Sequence, residues 1–264
     1  MNINGIRRPV LRYFGSKWRL APHIINMMPP HKMYVELYGG SATVLLRKEP
    51  SKWEIYNDLE KSVVNFFQVL RDDYEDLIRM IMLSPWSRAE SKWCRDHTVC
   101  SGRLEWARRF YVTSWQIIKP SGRTGSSSGF RIGRGNTKGL CGWPLEEDLL
   151  AAAHRLRNVV IECKNALDVI RMQDSPHTLF YVDPPYPVVG KSYVVPISMQ
   201  HFVDLAEALV DLDGMFILSG NDSKFFTDIY DYFGFKKYTF DEINMVSKRT
   251  TECLWCNFDV EVGR

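Results

Sequence analysis

No apolar run in the 264 residues reaches the roughly 18 that a membrane span needs, so no membrane association is expected. The chain opens on no charged leader followed by an apolar core. Its six cysteines (Cys94, Cys100, Cys141, Cys163, Cys253 and Cys256) follow no disulfide-framework spacing. Together these absences point to a cytoplasmic chain with reduced thiols. Internal repeats are lacking, and so is a Walker A sequence, which argues against a phosphate cradle. Excess charge of one sign is scarce too: a net +3 from 34 basic and 31 acidic residues names no partner by itself. Metal-ligand spacing is confined to one pair, C-L-W-C at 253–256, with no second pair to complete a zinc site. The residues around it read as a strand, on which positions three apart face opposite sides, so two packed thiols and no metal are expected.

What the chain does have is alternation. Runs at 33–38, 53–56, 158–163, 178–183, 214–220, 235–240 and 252–258 read as strands. Helical stretches lie between several of them, one at 61–83 with Val64, Phe67, Leu70, Leu77 and Ile81 at helical spacing, others at 199–212 and 223–232. Seven strands with intervening helices argue a doubly wound α/β sheet. The rhythm breaks from 84 to 154, where two helical segments precede a glycine- and serine-rich stretch at 119–144. In that loop Lys119, Arg123, Arg131, Arg134 and Lys138 are basic and no acid occurs, which suits a polyanion. A solvated linker has the same glycine and serine content. On either reading this is an insertion into the sheet domain.

Two loops that follow strands carry the chemical signal. "YVELYGGSATV" (34–44) is a strand, a turn at Gly39 and Gly40, and a helix start, a geometry that brings backbone close to a ligand. It is not G-x-G-x-x-G, because Ala42 stands where a later glycine would be expected. At the end of the next strand Asp58 can accept both hydroxyls of a ribose, and it can equally cap a helix. "TLFYVDPPYPV" (178–188) ends its strand in Asp183, Pro184, Pro185 and Tyr186. Neither proline can donate to a ladder, so the strand stops there and its exit is rigid. Open α/β sheets place their chemistry at such carboxyl ends.

The motif order RYFGSK (12–17), ELYGGSA (36–42), NDLEKSVVNFF (57–67), a basic insertion, DPPY (183–186) and KRTTECLWCNF (248–258) resembles the α-class, Dam-like DNA adenine methyltransferases of bacteria and their phages. The resemblance implies a seven-stranded Rossmann-like methyltransferase domain over 1–83 and 155–264. Residues 84–154 would then be a mainly helical target-recognition insertion that binds DNA. The implied reaction is methyl transfer from S-adenosylmethionine to the N6 amine of adenine in double-stranded DNA, with the base flipped out of the duplex. At the family's motif positions, Tyr13 packs on the cofactor, Lys17 reaches its carboxylate, Glu36 meets its ammonium, Asp58 meets its ribose, and Gly39 and Gly40 form its turn. Asp183, beside the cofactor, and the Pro184 carbonyl accept from the exocyclic amine, Pro185 completes the rigid turn, and Tyr186 stacks on the base.

The departures are Leu37 for the family's usual proline, Ala42 for a glycine, and Asn165 where an acid commonly lies near the cofactor's adenine. They imply a reshaped cofactor loop and weaker cofactor affinity. Arg131 and Arg134 either read guanine or hold phosphate. A restriction endonuclease is a partner the resemblance allows. The rival readings are a cytosine N4 or RNA adenine methyltransferase, a catalytically silent DNA-binding relative, and a nicotinamide-dependent oxidoreductase. The last would leave RYFGSK and DPPY without a role.

Overall fold

The computed structural model describes residues 5–118, 129–132, 146–186, 198–243 and 249–260. Every expected strand is present: β1 (Met33–Leu37), β2 (Trp53–Asn57), β3 (Val159–Glu162), β4 (Thr178–Val182), β5 (Met215–Asn221), β6 (Lys236–Ile243) and β7 (Arg249–Cys256). They form one sheet in the order β3-β2-β1-β4-β5-β7-β6. The first five strands pair in parallel, and β7 runs antiparallel between β5 and β6. The helices are α1 (Ala21–Met27), α2 (Thr43–Arg47), α3 (Lys61–Asp72), α4 (Tyr74–Leu83), α5 (Arg88–Asp96), α6 (Arg103–Gln116), α7 (Glu146–Leu156), α8 (Ala166–Gln173), α9 (Met199–Val210) and α10 (Lys224–Tyr232).

Strand residues alternate between two cores, as a pleated sheet covered on both faces requires. Tyr34, Leu179, Tyr181 and Leu254 enter one core with α3 and α6, while Val35, Phe180, Val182 and Trp255 enter the other with α8, α9 and α10. Cys253 and Cys256 fall on opposite faces, both buried. The single helix expected at 61–83 is two, because Asp73 adopts φ −132°, ψ 38° and interrupts the helical ladder. The 84–154 stretch is tied closely to the sheet domain. Its α6 sends Ala107, Phe110, Tyr111 and Trp115 into the first core, with Tyr111 stacked on Phe66 at 5.6 Å between ring centroids.

Among the described residues no helix is long and apolar enough to cross a membrane, and no group of three or more His, Cys, Asp or Glu is placed to hold a metal ion. The strand order reverses between β1 and β4. The crevice beyond the carboxyl ends of those two strands is where a doubly wound sheet binds ligands.

Candidate active site

A partly open cleft lies at that reversal. Glu36, Tyr38, Gly39 and Gly40 come to it from the end of β1, Asp58, Leu59 and Glu60 from the end of β2, and Asp183, Pro184, Pro185 and Tyr186 from the end of β4. The amino-terminal segment closes it with Tyr13, Phe14, Gly15, Ser16 and Lys17. Four stretches separated in the sequence therefore converge, as the motif order implied.

The glycine turn is held tightly. Gly40 N–H donates to Asp58 Oδ2 at 2.8 Å, and the Gly40 carbonyl accepts from the Tyr56 hydroxyl at 2.7 Å. A Cβ on Gly39 would lie 2.3 Å from the Tyr56 ring, and one on Gly40, at φ +47°, would lie 2.9 Å from the Tyr13 ring. Both positions demand glycine on steric grounds. On either side of this pair Tyr38 and Ala42 adopt φ of 54° and 52°, which costs a non-glycine residue about 1–2 kcal/mol. Backbone outliers of this kind cluster at ligand clamps. The alanine that departs from the glycine pattern still takes the left-handed conformation, so this part of the loop keeps the shape a glycine would have.

Glu36 is buried beneath the turn, its Oε2 accepting from the Tyr34 hydroxyl at 2.6 Å and from Leu45 N–H at 2.7 Å. Burial pushes its carboxyl up to about 8, against the pull of those hydrogen bonds. A buried carboxyl left so far above its ordinary range favours a cation brought to it. Glu60 behaves alike: burial raises it to about 7, while the Tyr13 hydroxyl donates to its Oε2.

Lys17, expected to reach a cofactor carboxylate, lines the same cleft. Its ammonium lies 2.9 Å from Asp183 Oδ1, donates to the Gly15 carbonyl at 3.1 Å and sits 4.8 Å from the Tyr186 ring centroid. Burial raises the Asp183 carboxyl, and Lys17 pulls it back toward the ionised form. A carboxylate oxygen has two lone pairs, so Oδ1 can accept again beside the ammonium. Tyr186 donates its hydroxyl to Glu252 Oε2 at 2.9 Å and meets Phe226 edge-on at 5.9 Å.

Two groups of expected residues lie elsewhere. Asn165 is exposed, outside the cleft lining, and caps α8 by accepting from Leu167 N–H at 2.9 Å. Arg131 is also outside the cleft. Its N–H donates to the Gln116 carbonyl at 2.8 Å beside the Ile117–Phe130 bridge, and burial together with Arg131 lowers the neighbouring Arg12 to about 10. Lys119, Arg123, Arg134 and Lys138 fall outside the described residues.

Sequence reasoning missed Glu60, Glu252 and the hydroxyls of Ser16, Ser41 and Thr43, which bond one another at 2.8–3.1 Å in the cleft. Only Glu60 had a local signal. It stands at the N-cap of α3, a place where Ser, Thr, Asp or Asn is preferred, and its side chain makes no capping bond.

A donor set of a buried acid that favours a cation, acids at the end of β2 and an acceptor at the end of β4 fits a ligand with an ammonium, a ribose and a reactive cationic centre, as in S-adenosylmethionine. Comparison with known proteins adds the family. The model of the D12 class N6 adenine-specific DNA methyltransferases matches residues 13–243. Among solved structures, a precorrin 8W decarboxylase of Methanobacterium thermoautotrophicum covers 98% of this chain and 98% of its own at 8% identity and a TM-score of 0.42. A putative rRNA-methylase from Clostridium thermocellum covers 90% and 94% at 9% identity and a TM-score of 0.39. The search of curated proteins gave no match.

Proposed function

Since the chain belongs to the D12 class N6 adenine-specific DNA methyltransferase family, with S-adenosylmethionine as its methyl donor, we propose that the residues around Asp183 perform the transfer to adenine N6. The observation that carries this assignment is the buried Asp183 carboxylate, paired with Lys17 and lining the cleft at the end of β4. S-adenosylmethionine supplies an electrophilic methyl on a good leaving group. The amine is the poor partner, because its lone pair is delocalised into the ring. Asp183 Oδ1 and the Pro184 carbonyl would accept its two hydrogens, favour pyramidal nitrogen and aim the lone pair. Positioned dipoles of this kind supply most of the catalysis when the leaving group needs no help.

Lys17 would serve this geometry by favouring the ionised form of Asp183 against the cost of its burial. Tyr186, its ring fixed by Glu252 and Phe226, offers a face on which the base would stack. Glu36 would hold the donor's ammonium beneath the glycine turn, and Tyr13 would pack over its adenosine. A base inside a duplex cannot reach such a cleft, so the target adenine would flip out at a cost of a few kcal/mol. Residues 84–154, with the basic loop at 119–144, are the segment we assign to target reading on double-stranded DNA. The reaction would take place in the cytoplasm of a bacterium or of a phage-infected host. If a restriction endonuclease accompanies the chain, DNA it has methylated resists that nuclease.

Incubating methylation-free plasmid with the protein and S-adenosylmethionine, followed by modification-sensitive long-read sequencing, tests the assignment. Methylated adenines at a recurring sequence are expected, and Asp183→Ala should lower the rate about 10²- to 10³-fold or more while keeping cofactor binding. An Asp183→Ala protein with near-normal turnover would overturn the role given to this acid.

A further inference from the structure

The crevice at the strand-order reversal has two walls, the glycine turn that leaves β1 and the Asp183–Tyr186 exit of β4. A hydrogen bond joins the two connections. The Tyr38 hydroxyl lies 2.6 Å from His201 Nε2, across 163 positions, and the rings meet edge-on at 6.0 Å. Tyr38 is the residue before Gly39, and His201 stands in the first turn of α9, the helix that follows β4.

The direction of this bond follows from its surroundings. Burial raises the Tyr38 hydroxyl above its ordinary range, with Tyr230 and Asp58 adding to it, so the phenol keeps its proton and donates. Burial lowers His201, and Asp204 opposes that only in part. The positive end of the helix also disfavours an imidazolium, since the His201 amide is the one that Ser198 caps. A neutral ring with its proton on Nδ1 therefore accepts at Nε2. The two partners differ in firmness. Helix α9 is fixed by Phe202, Leu205, Ala206 and Leu209 in the second core. Tyr38 carries the left-handed φ of 54°, which a tyrosine backbone by itself does not favour. Tyr38 lines the cleft, whereas His201 stands outside that lining.

We infer that His201 is a positioning residue for the methyl donor: anchored on α9, it holds Tyr38, and with it the glycine turn, in the binding shape. This inference rests on the cofactor reading above and extends its site to a residue outside the cleft. A turn held in this conformation before the ligand arrives leaves less ordering to be done on binding, so loss of the bond should appear as loss of affinity.

The test is a calorimetric double-mutant cycle with S-adenosylhomocysteine. Tyr38→Phe, which keeps the ring, and His201→Leu should each weaken binding about 3- to 10-fold, the net contribution of one hydrogen bond. The double variant should bind no more weakly than either single one, because both changes remove the same bond. His201→Gln places an amide oxygen near the position of Nε2 and should retain most of the affinity. His201→Asn, too short to reach, should behave like His201→Leu. In turnover on plasmid DNA the KM for S-adenosylmethionine should rise while kcat stays within about twofold. A bond that only holds the fold together would lower the unfolding midpoint and leave the affinity of the folded protein unchanged, and that result would overturn the inference. Losses that multiply in the double variant would overturn it as well. Failure of wild type to bind the compound would instead bring down the cofactor reading itself.

Discussion

The two ends of the parallel sheet treat buried acids in opposite ways. At the amino end of β2, Glu54 is paired with Lys48 at 2.7 Å and with Arg155 at 2.8 Å, and Lys48 also donates to Ser51 at 2.7 Å. Burial alone would raise Glu54, but these two cations more than offset it and hold the carboxyl below its usual range. At the carboxyl ends of β1 and β2, burial instead lifts Glu36 to about 8 and Glu60 to about 7, and phenol and amide groups donate to them. One cluster is satisfied by the chain itself. The other has neutral phenol and amide groups as its hydrogen-bond donors. The cluster held by neutral donors is the one at the strand-order reversal, where an open α/β sheet places its chemistry.

The satisfied end should be the costlier to break. Glu54→Ala would leave Lys48 and Arg155, both under 10% exposed, buried without their carboxylate. A loss of about 3–5 kcal/mol in denaturant unfolding is expected, with cofactor binding by the folded fraction retained. A loss under 1 kcal/mol would show that this end too has slack.

At the binding end the expected effect is smaller and depends on pH. Glu36 binds its proton more tightly when folded than when unfolded, since its folded value is raised to about 8 from 4.5. Between those values the folded protein holds a proton the unfolded chain does not, so this group lowers stability as pH rises through the window. Glu36→Gln should flatten that part of the stability profile. The same raised carboxyl predicts that cofactor binding near pH 7 releases a proton, visible as a heat that differs between buffers of unlike ionisation enthalpy. Identical heats would mean that no cation is brought to Glu36.

The smallest effect is expected at Ala42. Relief of its left-handed backbone by Ala42→Gly gains about 1–2 kcal/mol. Loss of the buried methyl costs about 0.8 kcal/mol, and the freer unfolded chain costs about 0.4–1 kcal/mol more. The terms nearly cancel, so unfolding free energy should change by less than about 1 kcal/mol. A large destabilisation would mean that the methyl, and not the backbone, shapes the loop.

Much of this molecule is local and therefore legible in its sequence. The seven strands follow from short β-branched and aromatic runs, the stop after Val182 from two prolines, and the glycine turn from Gly39 and Gly40, because each depends on neighbours a few residues away. The motif order carried the family for the same reason. The break at Asp73 was hidden, since the apolar spacing of 61–83 continues across a residue that only the backbone angles reveal as non-helical. The capping bond of Asn165 is equally local, since an asparagine before a helix accepts from the amide two residues on.

Tertiary structure alone decided the pairings. Lys17 meets Asp183 from 166 positions away, Tyr186 meets Glu252 across 66, and Tyr13 meets Glu60 across 47. Such partners are chosen by strand order and by the angle at which each loop leaves the sheet, and no window of neighbouring residues contains that information. Asp58 and Glu60 make the point most sharply. Both acids stand in the sequence two residues apart, yet backbone amides fold around the Asp58 carboxylate while the Tyr13 hydroxyl reaches Glu60.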